Sequence, residues 1–401
     1  MFRSWRTLLC TRREALCYLC TALAVAAIAF ARYAPVAQVY PPPLFKITAA
    51  THYDAGLQHG VIAADRIFGW LASLEMQTLL DFASHGAGAA ALKQMMADNT
   101  AAYPHLADEV RGISDGAKIP LHDAWVATLI NELEPLMPDR PLQRDRSPGH
   151  CSDVYAVDGA GNFSEGHNED WPGPVHDFYY YLAITGTGEP NSPGSCAGLI
   201  YPGALAGWAP SWNAHGVYLT QNSLFPNVSL PRGLGSAFVQ TDALCGASGA
   251  RGIDGVVKAL SRGGWATGAS VNLVDLKARR MASFEAHVDD HAVREVPTTA
   301  GPANQTHVNR YKWMDVAQDG SHAASSLHRQ ARFDALPAPR GREDVARLLS
   351  DEGDDEYPVF REMTLASLVL DSTGHLDAWC CGHAPASGRA PAYSWDILHF
   401  F

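Results

Sequence analysis

Cys151-Ser152-Asp153-Val154-Tyr155-Ala156-Val157, a turn through Gly159 and Gly161, then Phe163-Ser164-Glu165-Gly166-His167-Asn168-Glu169-Asp170-Trp171: the reading of the whole chain hangs on this stretch. Val154, Ala156, Val157 and Phe163 are apolar and β-prone, and the glycines between them favour a turn. A hairpin here returns the polar block 166–171 to the neighbourhood of Cys151. A thiol beside such a block is a candidate nucleophile. Its position alone, after Pro148-Gly149, fits a disulfide half or an idle thiol equally well.

Upstream the pattern is helical. Leu57, Ile62, Ile67, Leu71, Leu74 and Leu79 recur at three- to five-residue spacings, which predicts helix from about 55 to 83, and further helical stretches follow at about 89–113 and 124–133. Tyr40-Pro41-Pro42-Pro43-Leu44 reads as an extended spacer before them. Pro135, Pro138, Pro141 and Pro148, with Arg140, Arg144 and Arg146, predict an exposed connector over 134–150 that ends against Cys151.

Downstream the chain turns to β. Phe178 to Ile184, Leu199 to Gly203 and Gly216 to Thr220 read as strands, and 269–276 with 281–288 as a hairpin turning at 277–280. A helical zone covers about 236–260 with a break near 248–252. Helix returns near 343–349 and strand at 364–371. A helical prefix followed by strands with inserted helices suits a layered α+β domain better than a parallel βαβ series.

The 401 residues carry a formal net charge of −12, which disfavours nucleic acid and anionic membrane as partners. Arg12-Arg13 precedes an apolar run from Ala15 to Ala31, resembling a twin-arginine export signal over 1–31 with Ala29-Phe30-Ala31 as its cleavage site. The protein is therefore expected to be periplasmic or secreted, and to touch a membrane only if that segment stays uncleaved. Removing it leaves Cys151, Cys196, Cys245, Cys380 and Cys381, an odd number. No Cys-x-x-Cys pair survives among them, which argues against a thiolate zinc site.

Cys151 followed by Gly166-His167-Asn168-Glu169-Asp170-Trp171 resembles the penicillin acyltransferase-like (peptidase C45) group of N-terminal nucleophile hydrolases. That group includes β-alanyl-amine hydrolases and is related to the bile-salt hydrolases. Asn222 in Gly216-Val217-Tyr218-Leu219-Thr220-Gln221-Asn222, Asn309 in Thr306-His307-Val308-Asn309, Arg329 and Arg332 in 326–332, and Arg361 ahead of Thr364-Leu365-Ala366-Ser367 follow the family's order. The resemblance implies a four-layer αββα fold, with 32–150 as a helical α chain and 151–401 as a nucleophile-bearing β chain of one precursor. It also implies self-cleavage between His150 and Cys151, with Cys151 as nucleophile, Asp170 as orienter of its new amine, and Asn222 and Asn309 as oxyanion donors. Arg361 and Trp171 are implied to bind substrate, and no metal or organic cofactor is implied.

The family usually has glycine where this chain has His150, and Phe360 replaces a small polar residue beside Arg361. No role is transferred to His167, which differs in type from its bile-salt counterpart. The activity expected is hydrolysis of linear amides of small N-acyl amines or amino acids through an acyl-enzyme. The alternatives are acyl transfer to an amine and, in another class, a non-catalytic exported binding protein that keeps the fold. His287-Val288-Asp289-Asp290-His291, and His375, Asp377, Cys380, Cys381 and His383, carry metal-ligand types but read as solvated turns or irregular clusters.

Overall fold

The computed structural model describes residues 41–138, 151–246, 251–299, 301–318 and 320–401. The segment 1–31, expected to be an export signal, and His150 lie outside them. Strand β1 (Leu44–Ala49) opens the described chain, where only an extended spacer was legible. It is followed by α1 (His52–Ile62), α2 (Ala64–Leu71), α3 (Leu74–Ser84), α4 (Gly86–Ala102), α5 (Pro104–Ala117), α6 (Leu121–Thr128) and α7 (Ile130–Leu133). Caps divide what the apolar spacing presents as longer helical zones. The Thr51 and Ser73 hydroxyls accept from the amides of Asp54 and Met76, and Pro104 opens α5 where Tyr103 closes α4. Glu134–Leu136 forms a 3₁₀ turn, and Glu134 and Met137 are buried. The described start of the proline-rich connector is thus packed rather than exposed.

After Cys151 come β2 (Ser152–Val157), β3 (Phe163–Asp170), β4 (Tyr180–Gly186), β5 (Cys196–Ile200), β6 (Ser211–Asn213) and β7 (Val217–Leu224). Helices α8 (Ser236–Cys245) and α9 (Ile253–Leu260) precede β8 (Gly268–Asp275), β9 (Arg280–His287), β10 (Asp290–Val296) and β11 (Ala303–His307). The chain ends through α10 (Gly320–Ala335), α11 (Arg342–Leu349), β12 (Thr364–Asp371), β13 (His375–Cys380) and β14 (Tyr393–Asp396). The hairpins β2–β3 and β8–β9 match the sequence pattern. Strands β6, β10, β11 and β14 are short or exposed and carry no strong apolar alternation.

One sheet has the order β1-β4-β5-β6-β7-β8-β9-β10, the other β11-β2-β3-β12-β13-β14. Tyr179 to Tyr181 show how the layers join. Tyr180 points outward, its hydroxyl 2.6 Å from His59 Nε2 on α1. Its neighbours point the other way, as strand alternation requires. The Tyr179 hydroxyl donates to Leu365 O at 2.9 Å, and the Tyr181 ring packs edge-on against Trp395 of the second sheet. On that sheet's far face, Val154, Ala156, Val369 and Trp379 pack with Phe333 of α10 and Val345, Leu348 and Leu349 of α11. Gly166 admits α11 to this face, because a Cβ there would lie 2.3 Å from Val345 Cγ1. The order helices, sheet, sheet, helices is the four-layer α+β sandwich expected.

His59 is fully buried and its Nδ1 has no partner among the described residues. Burial lowers its pKa from 6.5 to about 3. The folded value lies below the unfolded one, so this contribution to stability is complete above about pH 6.5 and is lost as pH falls toward 3. His59→Gln removes the titration, and urea unfolding as a function of pH is expected to show a flatter acid limb between those values, by up to a few kcal/mol.

Candidate active site

Register places the site before any side chain is considered. Ser152 pairs with Asn168 and Asp153 with His167, so the residue preceding β2, Cys151, comes up beside Glu169. Strand alternation turns Asn168 outward, where its amide donates to Leu349 O and Val359 O. His167 and Glu169 turn inward.

Cys151 is buried and its Sγ donates to Glu169 Oε1 at 3.6 Å. The Tyr201 hydroxyl donates to the same oxygen at 2.6 Å. Glu169 Oε2 lies 3.1 Å from His167 Nε2, and His167 Nδ1 lies 2.9 Å from Asp153 Oδ2. Asp153 also accepts from Asn222 Nδ2 at 2.6 Å and from the Thr220 hydroxyl. The result is a buried chain of thiol, carboxylate, imidazole and carboxylate, anchored from the opposite sheet by β7.

Its charges follow from its surroundings. Burial opposes ionisation of the Asp153 carboxyl, but His167 and the bond from Thr220 hold it below the usual range. Glu165 beside it is raised well above the usual carboxylate range, by burial first and by Asp153 second. Burial also works against protonation of His167, yet Asp153 overcomes it and the imidazole pKa is raised well above 6.5. Burial, then Glu169, pushes the Cys151 thiol up to about 12. In the uncut chain the sulfur is therefore a thiol, not a thiolate.

Asp170 is held next to this chain. Its Oδ2 accepts from Arg361 Nη2 at 2.8 Å and Nε at 3.1 Å, and its Oδ1 from the Thr364 hydroxyl at 2.7 Å. Arg329, fully buried on α10, donates from Nη1 to Cys151 O at 2.7 Å and from Nη2 to Asn309 Oδ1 at 2.8 Å. Cys151, Glu169, Asp170, Trp171, Tyr201 and Trp208 line a cavity of about 10 Å³, together with Gln221 and Ser223. That is room for about one water.

The residues expected from sequence divide accordingly. Cys151, Asp170 and Trp171 meet at the cavity. The Trp171 Nε1–H donates to Glu75 Oε1 at 2.7 Å, tying the pocket to α3. Arg361 contacts Asp170 rather than the cavity. Asn222 faces away from Gln221 and Ser223 along β7 and donates one amide N–H to Asp153, while Asn309 Nδ2 donates to Ser223 O at 2.9 Å. Trp208 lines the cavity, and its buried Nε1–H has no partner among the described residues. Sequence reading does not single out Glu169, His167, Tyr201 or Trp208. The two-residue spacing of His167 and Glu169 on a strand beginning opposite Cys151 is the signal that could have found the first two. Tyr201 falls in the run 199–203 that reads as a strand, but the strand ends at Ile200, and Trp208 lies in a loop.

Residues 159–372 match the family described as acyl-coenzyme A:6-aminopenicillanic acid acyl-transferase, more than half of the chain. The chain belongs to this family. The match begins after Cys151 and includes the strand carrying His167, Glu169 and Asp170. The chain is also similar to the β-alanyl-dopamine/carcinine hydrolase of Drosophila melanogaster, with 24% identity over 338 residues, covering 79% of this chain and 84% of the relative. The acyl-transferase family and the hydrolase relative together place this chain among enzymes of amide and acyl-transfer chemistry.

In this member of the acyl-transferase family the buried Asp153–His167 pair makes a specific stability prediction. Asp153→Ala leaves a buried imidazolium and the Asn222 amide without their acceptor, and should cost about 3–5 kcal/mol in urea unfolding. Retention of wild-type stability would show that the pair is not charged.

Proposed function

We propose that this chain is a self-processing N-terminal cysteine hydrolase of linear amides, acting on small N-acyl amines or amino acids. The observation that carries the reading is the Cys151 thiol, immediately before β2, hydrogen-bonded to Glu169 and next to Asp170 in a partly open, aromatic-walled pocket. The Drosophila relative takes its name from β-alanyl-dopamine and carcinine, which supports a small amide.

Two different bases are needed. Before cleavage Cys151 has no free amine, and Glu169 Oε1 is the group bonded to its proton. Glu169 takes that proton, the sulfur attacks the His150 carbonyl, and the Cys151 nitrogen departs as an amine once the proton returns to it. Water then hydrolyses the resulting thioester. After cleavage the α-amine, whose ordinary pKa is about 7.7–8.0, becomes the base, and Asp170, fixed by Arg361 and Thr364, orients it. The thiolate attacks the substrate carbonyl to give an acyl-enzyme. The Trp208 N–H donates to the developing oxyanion, and Arg329 holds Cys151 in place through its carbonyl. Asn222 and Asn309 serve as scaffold, the first for Asp153 and the second for Arg329.

The family's description favours acyl transfer to an amine as a second reading. Hydroxylamine added during turnover distinguishes the two, because an acceptor-using enzyme forms hydroxamate at the expense of free acid. Export is supported by the paired arginines before the apolar run 15–31 and by the Cys196–Cys245 disulfide, a bond that persists in oxidising compartments.

The chain of 43.2 kDa should yield, without its leader, fragments of about 13 and 27 kDa in proportion to residue number, while Cys151→Ala stays uncut and inactive. Wild-type chain that hydrolyses amides without splitting would contradict self-processing. Glu169→Gln should slow the cleavage by about 10²–10⁴ in a refolding time course, with Glu169→Asp recovering part of the rate.

A further inference from the structure

The nucleophile sits among groups that also ligate metals. Among the described residues, Cys151, His167 and Glu169 each offer one donor atom within 4.8 Å of the others, and all three are buried. We propose that these side chains form a binding site for a single divalent ion of the zinc class, and that the ion silences the enzyme by occupying its thiol.

The donor separations fit such an ion. A tetrahedral zinc has bonds of about 2.0–2.1 Å to nitrogen and oxygen and about 2.3 Å to sulfur, which sets N···O near 3.3 Å and S···O near 3.5 Å. His167 Nε2 lies 3.1 Å from Glu169 Oε2 and Cys151 Sγ 3.6 Å from Glu169 Oε1, so each has a different oxygen of the carboxylate at ligand spacing, and one donor atom from each of the three residues lies within 4.8 Å of the others. The sulfur, nitrogen and oxygen set favours zinc over magnesium or calcium, which take oxygen alone.

The surroundings are those of a built site. His167 Nδ1 is fixed by Asp153 at 2.9 Å, which directs Nε2 toward the other donors, the carboxylate–histidine arrangement that orients metal ligands. Tyr201 steadies the Glu169 carboxylate at 2.6 Å. The adjoining cavity of about 10 Å³ accommodates a fourth ligand the size of water. Ligation takes Cys151 to the thiolate and His167 to the neutral imidazole, the Cys151 Sγ proton and the His167 Nε2 proton both passing to solvent. Asp170 is committed to Arg361 and Thr364 and stays outside the set.

Binding requires only these three side chains; the silencing rests on Cys151 being the nucleophile. Cobalt(II) titrated into EDTA-treated protein, then displaced by zinc, reads the two apart. One ion per chain with a sulfur-to-cobalt charge-transfer band is expected, with the band lost in Cys151→Ala and affinity at least about tenfold weaker in Glu169→Gln, both variants being checked for folding by circular dichroism. Absence of the band, or uptake unchanged in Cys151→Ala, would overturn the site. In a separate arm, zinc should abolish amide turnover and EDTA restore it. Zinc bound through Cys151 with turnover intact would contradict the nucleophile reading and leave the metal site standing.

Discussion

A single buried carboxylate, that of Asp153, sets the position of almost everything else. It belongs to β2 in one sheet and accepts from Thr220 and Asn222 on β7 in the other. A charge so buried must be fully bonded, which fixes how the two sheets face each other. It also fixes His167, which in turn holds Glu169, which accepts from the Cys151 thiol. The site is thus coupled to the sheet-to-sheet interface rather than mounted on a loop. Burial and the Asp153 charge both work against a second buried charge on Glu165.

This arrangement explains why one strand carries so much of the chemistry. On β3, inward residues build the proton chain while outward Asn168 and Gly166 serve the helical layer behind, the first by bonding Leu349 O and the second by admitting Val345. Arg329 and Arg361, from different parts of the chain, close the site from the other side. They reach the Cys151 carbonyl and the Asp170 carboxylate. Both lie far from Cys151 in sequence, so the fold has to be complete before the nucleophile is aligned.

Much of this was legible in sequence and some was not, for identifiable reasons. The helical prefix, the β2–β3 hairpin and the layered α+β class follow from apolar periodicity and glycine placement. Cys151, Asp170 and Trp171 come together because a hairpin returns 166–171 to its start. The bond from Asn222 to Asp153 is not legible in sequence, because the strand's two faces cannot be assigned without knowing which one the second sheet covers. Tyr201 and Trp208 carry no chemical signal in sequence: Tyr201 stands one residue past β5 in a run whose β character needs no further role, and Trp208 lies in a loop. Strand β10, largely exposed, lacks the alternation that marks a half-buried strand.

The central claim is that Cys151 acts as a chain-terminal nucleophile. The most direct measurement is mass spectrometry of protein acid-quenched during turnover of an amide substrate, followed by digestion. A peptide beginning at Cys151, with a free α-amine and the acyl group on sulfur, is the result expected. Turnover with Cys151 still joined to His150, or with the acyl group on another residue, would contradict the account.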